Sequence, residues 1–334
     1  MKIVFLKPRS SIRENLSSDS LWGLICWGIR TVYSEKKLVD FIKHYEGSGD
    51  VLKLSSAFFV IFGEKNKRQL LFPKPVMPQF ELKKYLADKP AKDKLLAMTR
   101  LKNIKKQKFV TLDILNKFIT GEFDELDYFS YFDKQGSTVP VVKLKRTEMT
   151  HNTINRLTNT TAENSLYTKD EIFLPENTGL FFLLDGPAEM QDMVFAALRY
   201  LEHVGFMGDA GIGKGSFKIE IDDFDFPDVE NPDSFLSLSL YHPAKDEVTF
   251  YSSVPQRCSY NLVSRKGKIS SAHLGQSDFW KKSILLFAEG SVFPLMNKKN
   301  YGYNPIVKNA SGPVDFNVHH FGTAFNISMR IKKT

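Results

Sequence analysis

The sequence predicts an α+β fold that opens with a ferredoxin-like domain and closes with a strand-rich one. Three observations predict it. Residues 1–221 read in the order strand, helix, strands, helix, strand, which is the split β-α-β pattern. The last strand, 323–331, alternates cleanly, with Phe325, Ile327, Met329 and Ile331 on one side and Asn326, Ser328 and Arg330 on the other. With 42% hydrophobic and 25% charged residues, a chain of 334 can bury two cores of ordinary size.

The elements follow in chain order. Residues 2–7 open as a strand, and a Ser17-Ser18-Asp19 cap signal starts a helix over 18–31. A second helix, 35–45, carries Leu38, Val39, Phe41, Ile42 and Tyr45 at helical spacing. Strands are predicted at 53–62 and 138–145, with a short helix at 111–119 between them. Strand 179–185 leads into the clearest helix, 188–203, which Pro187 starts and a stripe from Met190 to Leu201 marks. Strand 216–221 closes the first domain. Residues 63–110 and 146–170 are polar and long, and read as insertions into it. The acidic, Pro-containing stretch 222–233 reads as a linker. A C-terminal domain, 234–334, then holds strands at 234–242, 247–252 and 257–264 and one short helix near 277–287. No repeat of 20–50-residue period is present.

Charge is unevenly spread over a net +8. Lys83 to Lys108 holds ten Lys/Arg against Asp88 and Asp93, and Arg257 to the C-terminus holds twelve bases against three acids. Glu220 to Asp233 holds seven acids and no base. Basic surface of this kind attracts a polyanion, nucleic acid being the commonest; a solvated lysine face is the bland alternative. Of 28 Phe, most fill the core, which leaves some as stacking platforms or partner anchors. Cys26 and Cys258 are isolated, which argues against a zinc site or a disulfide scaffold. The opening strand has no signal-peptide layout, and no apolar run reaches the roughly 18–20 residues of a membrane span. A cytoplasmic protein without a membrane partner is expected.

The segment Gly205-Phe206-Met207-Gly208-Asp209-Ala210-Gly211-Ile212-Gly213-Lys214-Gly215 is the most informative. Gly208 to Lys214 matches the start of a P-loop, but Gly215 stands where Ser or Thr must hold magnesium. A helix precedes the loop and a strand follows it, the reverse of the order that aims a helix N-terminus at phosphate. Nucleotide hydrolysis is therefore disfavoured. One glycine would serve a tight turn, whereas five in eleven residues suit close approach of a phosphate backbone, with Lys214 beside it.

From this loop the sequence resembles the RAMP superfamily of CRISPR proteins. Further segments resemble one branch of it, the Cas-five-like subunit four of type III-A (Csm) interference complexes. They are Ser18-Asp19-Ser20-Leu21-Trp22-Gly23-Leu24, Leu71-Phe72-Pro73-Lys74-Pro75, His151-Asn152-Thr153-Ile154-Asn155-Arg156 with Leu166-Tyr167, Glu289-Gly290-Ser291-Val292-Phe293, and His319-His320-Phe321-Gly322-Thr323-Ala324-Phe325. Asp209-Ala210 departs from the Lys/Arg and Ser of many relatives. The resemblance implies two tandem ferredoxin-like (RRM-like) domains with a hairpin insertion. It also implies binding of the 5′ handle of crRNA, and docking on the large Cas-ten subunit and on backbone RAMP subunits. It implies no nuclease, cofactor or metal.

The candidate RNA-binding residues are then Gly208, Gly211, Gly213, Lys214 and Gly215 of the loop, with Ser18 and Arg30 of the first helix. On or beside the hairpin are Lys143, Lys145, Arg146, His151, Asn152, Asn155 and Arg156. Asn and Arg offer donors to phosphates and base edges, as a thumb over RNA; a polar surface turn is the alternative. Arg30 could equally complement its helix dipole, and Trp22 and Trp27 read as core. The seven histidines are dispersed, and His319-His320 would point to opposite faces of a strand, so no metal pair is read there. An endoribonuclease processing CRISPR repeat RNA is the competing function, with His44 as its one candidate acid/base. More than 110 residues follow the glycine loop, whereas processing enzymes of the superfamily carry it near the C-terminus.

Overall fold

The computed structural model describes residues 1–12, 16–47, 49–78, 85, 90–135, 140–206, 210–269, 280–310 and 316–332. Strand β1 (Lys2–Pro8) is followed by helices α1 (Ser18–Val32) and α2 (Glu35–Lys43), then by β2 (Lys53–Leu54) and β3 (Phe58–Phe62). Next come β4 (Arg68–Pro73), α3 (Ala91–Lys105), β5 (Phe109–Thr111), α4 (Leu112–Ile119) and α5 (Glu125–Gln135). A hairpin of β6 (Lys145–His151) and β9 (Tyr167–Phe173) carries the small ladder β7 (Ile154–Asn155) and β8 (Thr160–Thr161) at its tip. Strand β10 (Thr178–Asp185), helix α6 (Ala188–Val204) and strand β11 (Phe217–Asp223) complete the first half.

These strands form one antiparallel sheet in the order β11-β1-β10-β3-β4-β5, with β2 also on β10. Its first four members keep β1 central, beside the third and the last strand of the split β-α-β unit. The pattern follows from burial. β1 and β10 are covered on both faces, so they read as continuous apolar runs rather than alternating ones. Leu21, Trp22, Ile25, Cys26 and Ile29 of α1 are buried at helical spacing, as are Met190, Val194, Ala197, Leu198 and Leu201 of α6. Phe181 meets Phe5, Phe58 and Phe72 at centroid separations of 6.4, 5.9 and 5.0 Å, and Phe226 of the acidic stretch packs on Phe72 at 5.6 Å.

The second half contains β12 (Ser234–Ser237), α7 (Lys245–Ser253), β13 (Leu262–Arg265), β14 (Ile284–Phe287), β15 (Val292–Pro294), β16 (Ile306–Ala310), β17 (Phe316–His319) and β18 (Asn326–Met329). The order β15-β12-β18 again puts the first strand in the centre. Among the described residues no second α-helix follows, and the β16-β17 hairpin stands in that part of the chain. The two halves share a core: Trp22 stacks on Phe321 at 5.7 Å, and Leu236, Phe325 and Ile327 join the first half's apolar cluster.

Several sequence expectations change. The run 53–62 is two strands, because the Ser55 hydroxyl accepts from Leu183 N–H (2.8 Å) and the Ser56 hydroxyl from Ser18 N–H (2.9 Å), which bends the chain between them. Residues 63–110 are not merely an insertion: β4 and β5 extend the sheet. No strand covers 140–144, and the hairpin begins at Lys145. The strand expected at 247–252 is helix α7. Its Glu247 is fully buried and accepts from Ala244 N–H and Tyr241 O–H, each at 2.7 Å, and from Lys298 Nζ at 2.8 Å. Tyr251, one turn later on the same face, is buried with it. In the range expected to be a helix near 277–287, residues 284–287 are strand β14, and 277–279 lie outside the described residues. Trp27 is 41% exposed rather than core, with Arg30 over its ring at 5.3 Å.

Candidate nucleic-acid interface

Helix α6 ends on Gly205, and the buried Phe206 anchors the loop that follows by packing its ring on Phe217 at 5.5 Å. Phe206 N–H donates to Gly215 C=O at 2.7 Å, which closes the loop at its base. Gly215 N–H donates to Ser11 C=O (2.9 Å), Ser216 N–H to the Ser10 hydroxyl (3.0 Å) and Arg9 N–H to Ser216 C=O (2.8 Å). The chain just after β1 therefore stitches the loop's closing end in place. Met207, Gly208 and Asp209 lie outside the described residues, so the candidate Gly208 is not placed.

The glycines on the closing side of the loop differ. Gly215 has φ +65, and a Cβ there would sit 1.8 Å from Phe206 C=O, so only glycine fits. Gly213 has φ +80. Among the described residues, no atom comes within 4 Å of a Cβ at Gly211 or Gly213. An anion can approach the backbone there more closely than it could approach any residue with a side chain.

Lys214 does not point free into that space. Its Nζ lies 2.8 and 2.9 Å from the two carboxylate oxygens of Glu171, on strand β9 of the hairpin. Glu171 is buried, also accepts from the Ser11 hydroxyl at 2.7 Å, and has His151 Nε2 at 4.0 Å. The Lys214 hydrogen bond, helped by the Ser11 hydroxyl and against burial, holds the Glu171 carboxyl below the usual range. Ile12 and Ile172 exchange two backbone hydrogen bonds of 2.8 Å beside this pair. Glu171 thus ties three segments together: the glycine loop, the turn after β1 and the root of the hairpin.

Further along the hairpin, His151 stacks on Tyr167 at 5.5 Å. Asn155 Oδ1 accepts from Leu157 N–H at 2.9 Å, which shapes the tip as an Asx turn, and Asn152 Nδ2 donates to Thr161 Oγ1 at 3.0 Å. Lys143, Lys145, Arg146 and Arg156 are exposed, and no carboxylate among the described residues pairs with them. These four, rather than Lys214, are the cations available to an incoming phosphate.

The structure does not bring the first-helix candidates to this site's surface. Ser18 is fully buried; its N–H goes to Ser56 and its hydroxyl accepts from Leu240 N–H at 3.1 Å, a stitch between the halves. Arg30 pairs with Glu35 at 3.3 Å. His44 is exposed at the end of α2. Glu171, Ser10 and Ser11 were not legible as site residues: a buried acid in a strand gives no pattern of its own, and its partners lie 43 and 160 residues away.

Residues 13–218 match the RAMP superfamily model, and residues 230–304 match the CRISPR Csm4 C-terminal domain. A curated relative from Thermococcus onnurineus (strain NA1), "CRISPR system Cms protein Csm4", is 25% identical over 238 residues, covering 71% of this chain and 72% of its own. A chain in the Csm3-Csm4 subcomplex of a type III-A CRISPR-Cas interference complex superposes with a TM-score of 0.60 at 19% identity, covering 99% of this chain and 100% of that one. A chain in a Csm1-Csm4 cassette bound to cA4 gives 0.59 at 17% identity, covering 100% and 99%. At these identities the structural likeness is one of fold.

Proposed function

We propose, for a chain that belongs to the RAMP superfamily, that it is a non-catalytic RNA-binding subunit of a type III-A CRISPR effector ribonucleoprotein. It holds the 5′ handle of crRNA and docks on the large subunit and on backbone RAMP subunits. Support for the assembly comes from the matched Csm4 C-terminal domain model and from neighbours solved as Csm1-Csm4 and Csm3-Csm4 assemblies. The division into 1–221, an acidic 222–233 and 234–334 belongs to the same proposal. Its support is the central first strand on either side of the acidic stretch.

One observation carries the RNA reading: an open glycine backbone is fixed, through Glu171, beside a hairpin that presents Lys143, Lys145, Arg146 and Arg156, none paired with a carboxylate among the described residues. Backbone N–H groups and flexible cations suit phosphates, while Asn152 and Asn155 at the hairpin tip suit base edges. Such a surface orders a strand of RNA by its backbone and requires no chemistry at the bound strand. Fluorescence anisotropy with a labelled 5′-handle RNA and a scrambled RNA of equal length tests it. Tighter binding of the handle, with both RNAs recovered intact, is the expected result. Equal binding of the two removes the handle from the proposal, and specific cutting of repeat RNA that His44→Ala abolishes replaces it with the processing-enzyme reading.

A further inference from the structure

We infer that Glu220 and Asp222 of strand β11 close the sheet of the first half to RNA, and so confine a bound strand to the glycine loop and the hairpin. The inference rests on the RNA-binding reading above and adds two specificity-determining residues to it. A sheet of the RRM type binds single-stranded RNA by stacking bases on aromatic side chains of its face. Such rings are present here: Phe5 of β1 and Phe62 of β3 lie 6.5 Å apart between centroids. Cations lie over both. Arg68 Cζ is 4.1 Å from the Phe5 centroid, and Lys7 Nζ is 4.9 Å from that of Phe62. Rings for stacking and cations for the backbone are the two elements of sequence-tolerant single-strand binding.

The chain's own acids already occupy those cations. The register sets Glu220 opposite Phe5, and directly paired residues share a face. The Glu220 carboxylate takes Lys7 Nζ at 2.8 Å, Arg68 Nη2 at 3.0 Å and Lys218 Nζ at 3.5 Å, and Asp222 pairs with Arg68 Nη1. Arg68, which covers the buried Phe5 ring, is therefore held in place by both acids. The Lys7 hydrogen bond, with burial against it, keeps the Glu220 carboxyl below the usual range. Further along the same segment, Phe224 and Phe226 pack on Phe72 of β4 at 6.3 and 5.6 Å. Carboxylates on cations and rings on a ring are what a strand of RNA would itself offer this sheet. The pairs sit at the surface, with the Lys7 side chain 38% and the Asp222 side chain 53% exposed. Ion pairs so placed add little to stability. Their ordinary role, a solvated network, predicts no change in RNA binding when they are removed.

The test uses the full chain with 5′-handle RNA and a scrambled RNA of equal length, read by anisotropy over a salt series on protein shown to be folded by circular dichroism. The Glu220→Gln/Asp222→Asn variant should bind the scrambled RNA about tenfold more tightly than the parent. Its salt slope should steepen by about 0.7 for each phosphate newly neutralised, and its preference for the handle should narrow. Adding Lys7→Gln and Arg68→Gln to that variant should return scrambled-RNA binding to the parent's value. If the parent prefers the handle and the folded double variant binds scrambled RNA no more tightly than the parent, the inference fails and the handle reading stands. If the gain persists after Lys7 and Arg68 are replaced, it comes from net charge rather than from the sheet, and the inference also fails. A parent that binds neither RNA overturns the RNA-binding reading, and the inference with it.

Discussion

Two glycines at the closing end of one loop do opposite work, although the sequence presents them alike. At Gly215 the backbone is crowded: positive φ, a carbonyl where a Cβ would be, and hydrogen bonds to Phe206 and Ser11. At Gly213, two residues earlier, the positive φ remains but a Cβ would meet no described atom within 4 Å. The first glycine holds the loop shut, and the second leaves room for something from outside. Between them Lys214 turns inward to Glu171, so the charge that looks most like a phosphate ligand in the sequence is a strut. The lesson is that a glycine-rich run divides into framework and opening, and that neighbouring charge can belong to the framework.

Substitutions should separate the two. Gly215→Ala combines left-handed strain with overlap on Phe206 and should cost about 3 kcal/mol, read by urea unfolding. Lys214→Ala leaves the buried Glu171 carboxylate without its cation and should cost about 1–3 kcal/mol. That loss should depend on acidity. Because Glu171 is held below the ordinary carboxylate range, its contribution is whole above about pH 4.3 and disappears as pH falls beneath that value. Glu171→Gln should remove this acid dependence, so parent and variant stabilities should converge in acid and diverge toward neutrality. A Lys214→Ala chain as stable as the parent at neutral pH would mean that the pair is not a strut. Smallest of all, Arg156→Ala at the hairpin tip should leave stability within about 0.5 kcal/mol yet lower the salt slope for RNA by about 0.7.

The first half was largely legible because its apolar spacing is strong. Strands β1 and β10 and helices α1 and α6 carry continuous or helical-period runs that only one arrangement buries. Helix α3 was not, since Leu95, Leu96 and Met98 are all at least half exposed and blur its stripe. Helix α7 was misread because Val248, Thr249 and Phe250 alternate as a strand would, while the deciding feature is the buried Glu247, whose partners come from residues 241, 298 and 302. The glycine loop and the hairpin were each visible. Their joint through Glu171 was not, because long-range polar contacts leave no local period.

The central claim, that the open tip of the loop receives an RNA backbone, is tested most directly by Gly213→Ala. The substitution meets no neighbouring atom within 4 Å and costs only the strain of its positive φ, about 1 kcal/mol. Anisotropy titration of 5′-handle RNA, on protein shown to be folded by circular dichroism, should give binding weaker by about tenfold, or 1.4 kcal/mol. A folded Gly213→Ala chain that binds the handle as tightly as the parent would contradict the claim and make the glycine loop a turn between α6 and β11 and nothing more.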